Sequence, residues 1–424
     1  MAQRNSVPSL WWLAFFAILA AGIWCRCQHM TDVGTRSPDE RTYTAYAASL
    51  ADDGLGVYRE LFANYNDHPA IWIYPAPTRF GHVALASVVM TATGVRDGRA
   101  GAAFSWFFSV LSLFLVVWIG LRFFNPWIAL LAAAFLAFSF GELGMARRAW
   151  QDSTFGFCGL LLVYLTCEIT AAPARKIWYA AFFATGTFAF LTKETSVLAF
   201  GFCGLWLAGV MLFQERSWKM CAGLVAGGAG SLLLAFLVWF SLAGNAAVAL
   251  AAVDHSTRSG AGDWAKLYCS GPWYQFFYLL WIVGPLTAAM AAVGALTGIF
   301  ANLPRFRKYI GQPLALRDVR VIGMALLMTG GFIGFAAFVP HLQYLRIVSP
   351  ADGTYCLLAA TGFWYLLSLA RRPLHGIGRQ GVTAIAIAIL ALAGLGDYRA
   401  FENVVVRSGM EELAVSGIRS VMGR

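Results

Sequence analysis

Apolar runs of about 20 residues recur along the whole chain, near residues 8–25, 101–120, 126–143, 153–170, 177–192, 196–213, 219–243, 274–300, 321–340, 352–369 and 382–396. Each is about long enough to cross ~30 Å of hydrocarbon as a helix. Lipid offers the backbone no hydrogen-bond partners, so only helices or a closed barrel can span it. The runs lack the alternation of barrel strands and exceed their length. They predict an all-α polytopic membrane protein of about eleven transmembrane helices. Only 12% of the 424 residues are charged, against about 25% in a soluble domain, so too little polar surface is left to coat a water-soluble body. The first run follows Arg4 and is long and Trp-rich. With further spans behind it, it reads as an uncleaved signal anchor.

Lys and Arg in the connecting loops set the orientation. With the N-terminus in the cytoplasm, the inner loops hold 14 cations against Glu168, Glu215 and Asp318. The outer side holds the other 17 cations against 18 acids. The formal charge of +10 is therefore mostly a topology signal, and no nucleic acid partner is needed to explain it. The apolar segment 80–94 is about 15 residues long, which suits a re-entrant or interfacial helix better than a span. The chain reads as one transmembrane domain, 1–424, with a first outer loop at 26–100, a second at 244–273, a short one at 340–350 and an outer tail at 397–424. The longest inner loop, 302–320, reads as a basic anchor, so function points outward.

Ser37-Pro38-Asp39-Glu40 has the pattern of a helix start, with Ser37 as N-cap, Pro38 in the first turn and Glu40 closing a capping box. The helix that follows places Tyr43, Tyr46, Ala47 and Leu50 on one face, which suits a helix lying on the membrane surface. Glu40 is accounted for by the cap. Asp39 is not, and a carboxylate there can act as a base at the outer face. Arg147-Arg148 and Asp152 lie between two spans on the side that disfavours arginine. They form either a phosphate site, through paired guanidinium hydrogen bonds, or a structural bridge between Asp152 and one of the arginines. Lys193 either snorkels and pairs with Glu194 or faces a ligand, and Arg346 is open to the same two readings. His68 and His82 are candidate ligands or acid–base groups. Tyr58, Phe62, Tyr65, Trp72 and Tyr74 suit either a sugar-stacking platform or interfacial anchoring. The eight cysteines and six histidines show no metal-type spacing. P-loop, Gly-x-Ser-x-Gly and His-Glu-x-x-His motifs are absent, and few ionisable residues lie within the spans, which argues against ion-coupled transport.

Taken in order, the acid pair Asp39-Glu40 with Tyr43, the His68-Pro69 element, Gly94 and Arg99, the Arg147…Asp152 element, Leu191-Thr192-Lys193, and Tyr344…Arg346…Pro350 resemble the GT-C superfamily of polyprenyl-phosphate-dependent glycosyltransferases. The resembling branch includes protein O-mannosyltransferases and the aminoarabinose transferase of lipid A. The resemblance covers roughly residues 8–370 and implies juxtamembrane helices in the first outer loop. It also implies an active site facing the periplasm or lumen, a donor sugar linked to a polyprenyl phosphate or diphosphate, and an acceptor of unknown class; Ala, Gly and Arg usage points to a bacterial inner membrane. Carried onto this chain, it makes Asp39 the catalytic carboxylate and places Asp152 in the site. Arg147 or Arg148, Lys193 and Arg346 then face the donor phosphate, with Glu40, Tyr43, His68 and Tyr344 lining the pocket. No Asp-x-Asp occurs, so no metal or other cofactor is assigned. Two departures from the family pattern stand out: His/Lys-Pro-Pro is reduced to His68-Pro69-Ala70, and Arg-Tyr is replaced by Tyr344-Leu345-Arg346. The competing reading is a flippase or transporter of the same lipid-linked sugar, which needs the cations but no base.

Overall fold

The computed structural model describes residues 9–28, 37–260, 266–267, 269–303, 320–339 and 342–407. Most of the basic loop 302–320, the outer-loop residues Asp263 and Trp264, the Pro340-His341 pair and the tail beyond residue 407 lie outside them. The described residues are helical and connecting, and the chain is an integral membrane protein.

Eight described helices are long and apolar enough to cross a membrane, or nine if one bent pair is a single span. The predicted eleven runs differ from this at three places. Helices α6 (Pro126–Ala137) and α7 (Phe140–Ala146) break the 126–143 run with a 58° bend. Near residue 284 the 274–300 run divides in two, giving Tyr274–Val283 and Pro285–Asn302. Pro285 has no N–H to continue the helix, and its ring clashes with the preceding turn. The third case, α9 (Lys176–Thr192), has only 17 residues, about 25 Å of helix.

The bend between α6 and α7 frees carbonyls that lipid cannot satisfy. Arg26, near the end of α1 (Ser9–Cys27), fills that need. Its guanidinium donates to the Leu136 carbonyl at 3.1 Å, the Ala137 carbonyl at 3.0 Å and the Ser109 hydroxyl at 2.7 Å. Ser109 in turn donates to Glu142 at 2.8 Å. Arg26 is 1% exposed, so a cation inside the bundle is held by neutral oxygens. It lies one residue past the predicted first span, 8–25, yet within the helix. The bend ends α7 in the turn that carries Arg147 and Arg148.

Around this bend pack α5 (Gly98–Phe123), α8 (Asp152–Ala171) and the late helix Ser349–Arg371. Where Ser349–Arg371 meets Pro285–Asn302, Gly362 and Gly294 face each other so closely that a Cβ on either would enter the opposing backbone. Small residues permit such approach in membrane helix pairs.

The segment between the first two spans forms its own helical cap. It comprises α2 (Pro38–Asp53), α3 (Val57–Asp67) and α4 (Phe80–Thr93), joined by the helix Ala246–Gly260. The capping box at Ser37 and Glu40 is present. At 14 residues, about 21 Å, α4 is too short to span, and it packs against α2, α5 and α9. Tyr58, Phe62 and Tyr65 are fully buried in the core of this cap with Tyr43, Leu50 and Trp239. They are neither a stacking platform nor interfacial anchors, because the cap uses them to pack its own helices.

Candidate active site

The local start of α2 sets two neighbouring carboxylates apart. Glu40, at the third helical position, turns back toward the cap, where the Ser37 N–H donates to it at 3.2 Å. The same carboxylate receives Arg148 in a bidentate pair, Nε at 2.8 Å and Nη2 at 2.6 Å, and the Ala149 N–H at 2.9 Å. It is 1% exposed. Asp39, one residue earlier, points elsewhere. Its Oδ2 lies 3.1 Å from Arg346 Nη2, and its side chain keeps 22% of its surface.

Arg346 arrives on a short 3-10 turn (Leu345–Val348) that precedes the helix Ser349–Arg371. Its Nε lies 3.8 Å from Asp152 Oδ2. Asp152 opens α8, is completely buried, and accepts from Lys193 Nζ at 2.5 Å through Oδ1. Two guanidiniums, of Arg148 and Arg346, lie 4.4 Å from the Trp150 ring centroid, and Lys193 Nζ lies 5.1 Å from Phe155. Tyr344 packs against Arg346 at 5.7 Å. Aromatic faces attract cations and exclude water, so the basic groups sit in a partly desolvated nest.

Around the rim lies a further ion pair. Arg79 Nε reaches Glu194 Oε2 at 3.2 Å, Thr78 donates to Glu194 Oε1 at 2.5 Å, and Arg79 Nη1 donates to the Tyr43 hydroxyl. Burial would raise the Glu194 carboxyl, but Arg79 and the Thr78 hydroxyl outweigh it and hold the group below its ordinary value. Tyr43 meets His82 edge-on at 5.5 Å, and His82 Nε2 lies 3.3 Å from the Ala149 carbonyl. Burial drives His82 down to about 4, so it is neutral near pH 7 and holds the 147–152 turn as a hydrogen-bonding group.

Asp39, Glu40, Tyr43, Arg148, Asp152, Lys193, Tyr344 and Arg346 thus share one locus, built from segments that the charge count assigns to the same side. On the opposite side of that count, Arg122 and Glu168 also meet, at 2.7 Å. Several pairings differ from those the sequence suggests. Asp152 pairs with Lys193 and Arg346, whereas Arg148 pairs with Glu40. Lys193 turns away from its neighbour Glu194, which goes to Arg79. Arg147 is buried with its guanidinium 5.9 Å from the Phe401 ring, toward the C-terminal helix. His68 is exposed, with Nδ1 2.8 Å from the Asn64 carbonyl, and makes none of the described contacts of the cluster. Arg79 and Glu194 are the site residues that sequence reasoning misses. The available signal was a cation directly before the short apolar segment and an acid directly after Lys193. Among the described residues, no group of three or more His, Cys, Asp or Glu side chains is arranged to hold a metal ion.

No protein-family model matches the chain, and no curated protein does. Solved structures do. The chain is similar to ArnT from Cupriavidus metallidurans in the apo state, at 16% identity and TM-score 0.57, over 97% of this chain and 78% of that one. It is equally similar to ArnT bound to undecaprenyl phosphate, at 16% identity and TM-score 0.58, over 98% and 79%. It is also similar to the oligosaccharyltransferase of Archaeoglobus fulgidus, at 12% identity and TM-score 0.60, over 91% of this chain and 55% of that one. The chain therefore spans about half of the archaeal protein. At such identities the likeness is one of backbone architecture, and by that architecture this chain has the GT-C fold.

Proposed function

We propose that this chain is a membrane glycosyltransferase that moves a sugar from a polyprenyl-phosphate-linked donor to an acceptor at the periplasmic or outer face of a bacterial inner membrane. The observation that carries this reading is the division between two adjacent carboxylates. Glu40 is fully engaged by Arg148, the helix cap and the Ala149 N–H. Asp39 remains partly exposed beside the buried Arg346, which also approaches Asp152, the partner of the buried Lys193. A flippase needs only the cations. A transferase needs a base beside them.

In the proposed reaction the acceptor hydroxyl attacks the anomeric carbon from the face opposite the lipid phosphate. Asp39 takes the hydroxyl proton as general base. The bond between the anomeric carbon and the phosphate oxygen breaks, its electron pair leaves on polyprenyl phosphate, and the anomeric configuration inverts. Negative charge grows on the departing phosphate, so preplaced cations stabilise the transition state more than the ground state. Lys193 and Arg346 have that task. Arg148 supports the site through Glu40, and Tyr344 backs Arg346. The sugar phosphate also gives Arg346 an anionic partner in place of Asp39, which frees the base as the donor binds. Neighbouring folds lend support to the ligand class: ArnT has been seen with undecaprenyl phosphate and the archaeal oligosaccharyltransferase with a dolichol-phosphate.

The test is incubation of the purified protein in lipid with a panel of polyprenyl-linked sugars, scoring released polyprenyl phosphate and the anomeric configuration of the product. Movement of intact donor across the bilayer without release, undiminished in Asp39→Asn, would replace this reading with the flippase.

A further inference from the structure

Resting on that reading, we propose that Glu194 is a positioning residue, which acts through Arg79 and Tyr43 to hold the helix bearing Asp39 at a set orientation to Lys193. Lys193 and Glu194 are consecutive, yet their side chains part. The lysine enters the buried site, bonding to Asp152 at 2.5 Å, and the glutamate reaches Thr78 at 2.5 Å and Arg79 at 3.2 Å. Arg79 then donates to the hydroxyl of Tyr43, with its guanidinium carbon 5.7 Å from the ring. Tyr43 lies four residues after Asp39, one turn along the same face of α2. A continuous chain of polar contacts therefore runs from the backbone of Lys193 to the helix turn that follows the proposed base. The Thr78 carbonyl is itself pinned by Trp239 Nε1 at 2.8 Å, so the segment carrying Arg79 has a fixed anchor.

The need for this second tie follows from the first. At its start, α2 is attached through Glu40 to Arg148 and through Asp39 to Arg346. Beyond residues 39–40, α2 packs through Tyr43, Tyr46, Ala47 and Leu50 against α3, α4 and α5, which damps a pivot about that end but does not tie the helix to the segment bearing Lys193. When donor phosphate takes Arg346, the Asp39 tie is lost and the pivot loosens further. The Glu194–Arg79–Tyr43 link holds the helix one turn away and is untouched by that exchange. Misplacement of a base by about 1 Å can cost as much as 10²-fold in rate.

The experiment compares Glu194→Gln, Tyr43→Phe and their combination with wild type in the lipid-linked transfer assay, alongside amide hydrogen exchange of α2. Both substitutions keep the shape of the side chain: Glu194→Gln removes the charge that Arg79 pairs with, and Tyr43→Phe removes the hydroxyl that accepts from Arg79. The expected result is a fall in kcat of about tenfold in each, with KM for the lipid donor within about twofold. The double variant should be no worse than the poorer single, because both break the same link, and α2 amides should exchange faster while those of α8 stay as in wild type. A rise in KM with kcat intact would make Glu194 a donor-binding group. Multiplying effects or unchanged α2 exchange would overturn the link. The exchange measurement needs no turnover: if wild type transfers nothing from any donor, the glycosyltransferase reading falls, and α2 exchange alone decides whether the link holds the helix.

Discussion

Arg346 lies between two carboxylates, its Nη2 3.1 Å from Asp39 and its Nε 3.8 Å from Asp152. The arginine and Asp39 are 307 residues apart. One guanidinium therefore joins the accessible acid of the helical cap to the buried acid of the bundle, and its planar fork suits both at once. Arg346→Lys keeps the charge but not the fork. It should lower kcat/KM by at least tenfold, while a thermal melt stays near wild type.

Replacement of Asp39 by Asn removes the proposed base and leaves the Glu40 cap in place. Transfer should fall by about 10² to 10⁴-fold, the usual contribution of general-base catalysis. Size-exclusion profile and melting temperature should be unchanged. Wild-type-like turnover would remove Asp39 from the mechanism.

Lys193→Ala leaves Asp152 buried with its 2.5 Å partner gone. Breaking one side of a buried pair costs about 3–5 kcal/mol, so the variant should melt well below wild type. Lys193→Ala combined with Asp152→Ala should recover part of that stability without recovering transfer. Melts in detergent separate the two effects.

The Arg79–Glu194 pair sets a pH signature. Glu194 sits below its ordinary value of 4.5 in the folded protein, so its contribution to stability is complete above that value and is lost as pH falls through the lower folded value. Glu194→Gln should therefore melt lower than wild type at pH 7, and the gap should close on acidification below about pH 4. With a third of the Glu194 side chain exposed, solvent screening keeps the effect small.

Arg26→Leu keeps the volume of the span but leaves the Leu136 and Ala137 carbonyls without their donor. Each unsatisfied buried group costs about 1–3 kcal/mol. The variant should lose stability, and exchange in the 147–152 turn should rise because α7 is no longer held at its bend.

Chelation should leave turnover within about twofold of the untreated protein, the scatter of a typical assay rather than the loss of a Lewis acid, which contributes several kcal/mol. Asp152 is already engaged by Lys193, and the proposed charge stabilisation comes from Lys193 and Arg346. A large loss restored by a divalent ion would reassign that role.

Much of the architecture is local and therefore legible in the sequence. A run of apolar residues is a span because lipid leaves the backbone no other choice, and Ser37 caps Glu40 because both lie within one turn. The positions of Asp39, Lys193 and Arg346 on one side follow from counting loop cations. Which charge meets which does not follow, because pairing is a tertiary property. Glu40 and Arg148 are 108 residues apart, and Lys193 and Asp152 are 41 apart. Consecutive residues such as Lys193 and Glu194 point in different directions, so nearness in sequence misleads where nearness in space decides. Likewise, an aromatic run in a polar loop carries no mark of whether it faces a ligand or its own core. The burial of Tyr58, Phe62 and Tyr65 was settled only by helices folding over them, since burial depends on what arrives from elsewhere in the chain.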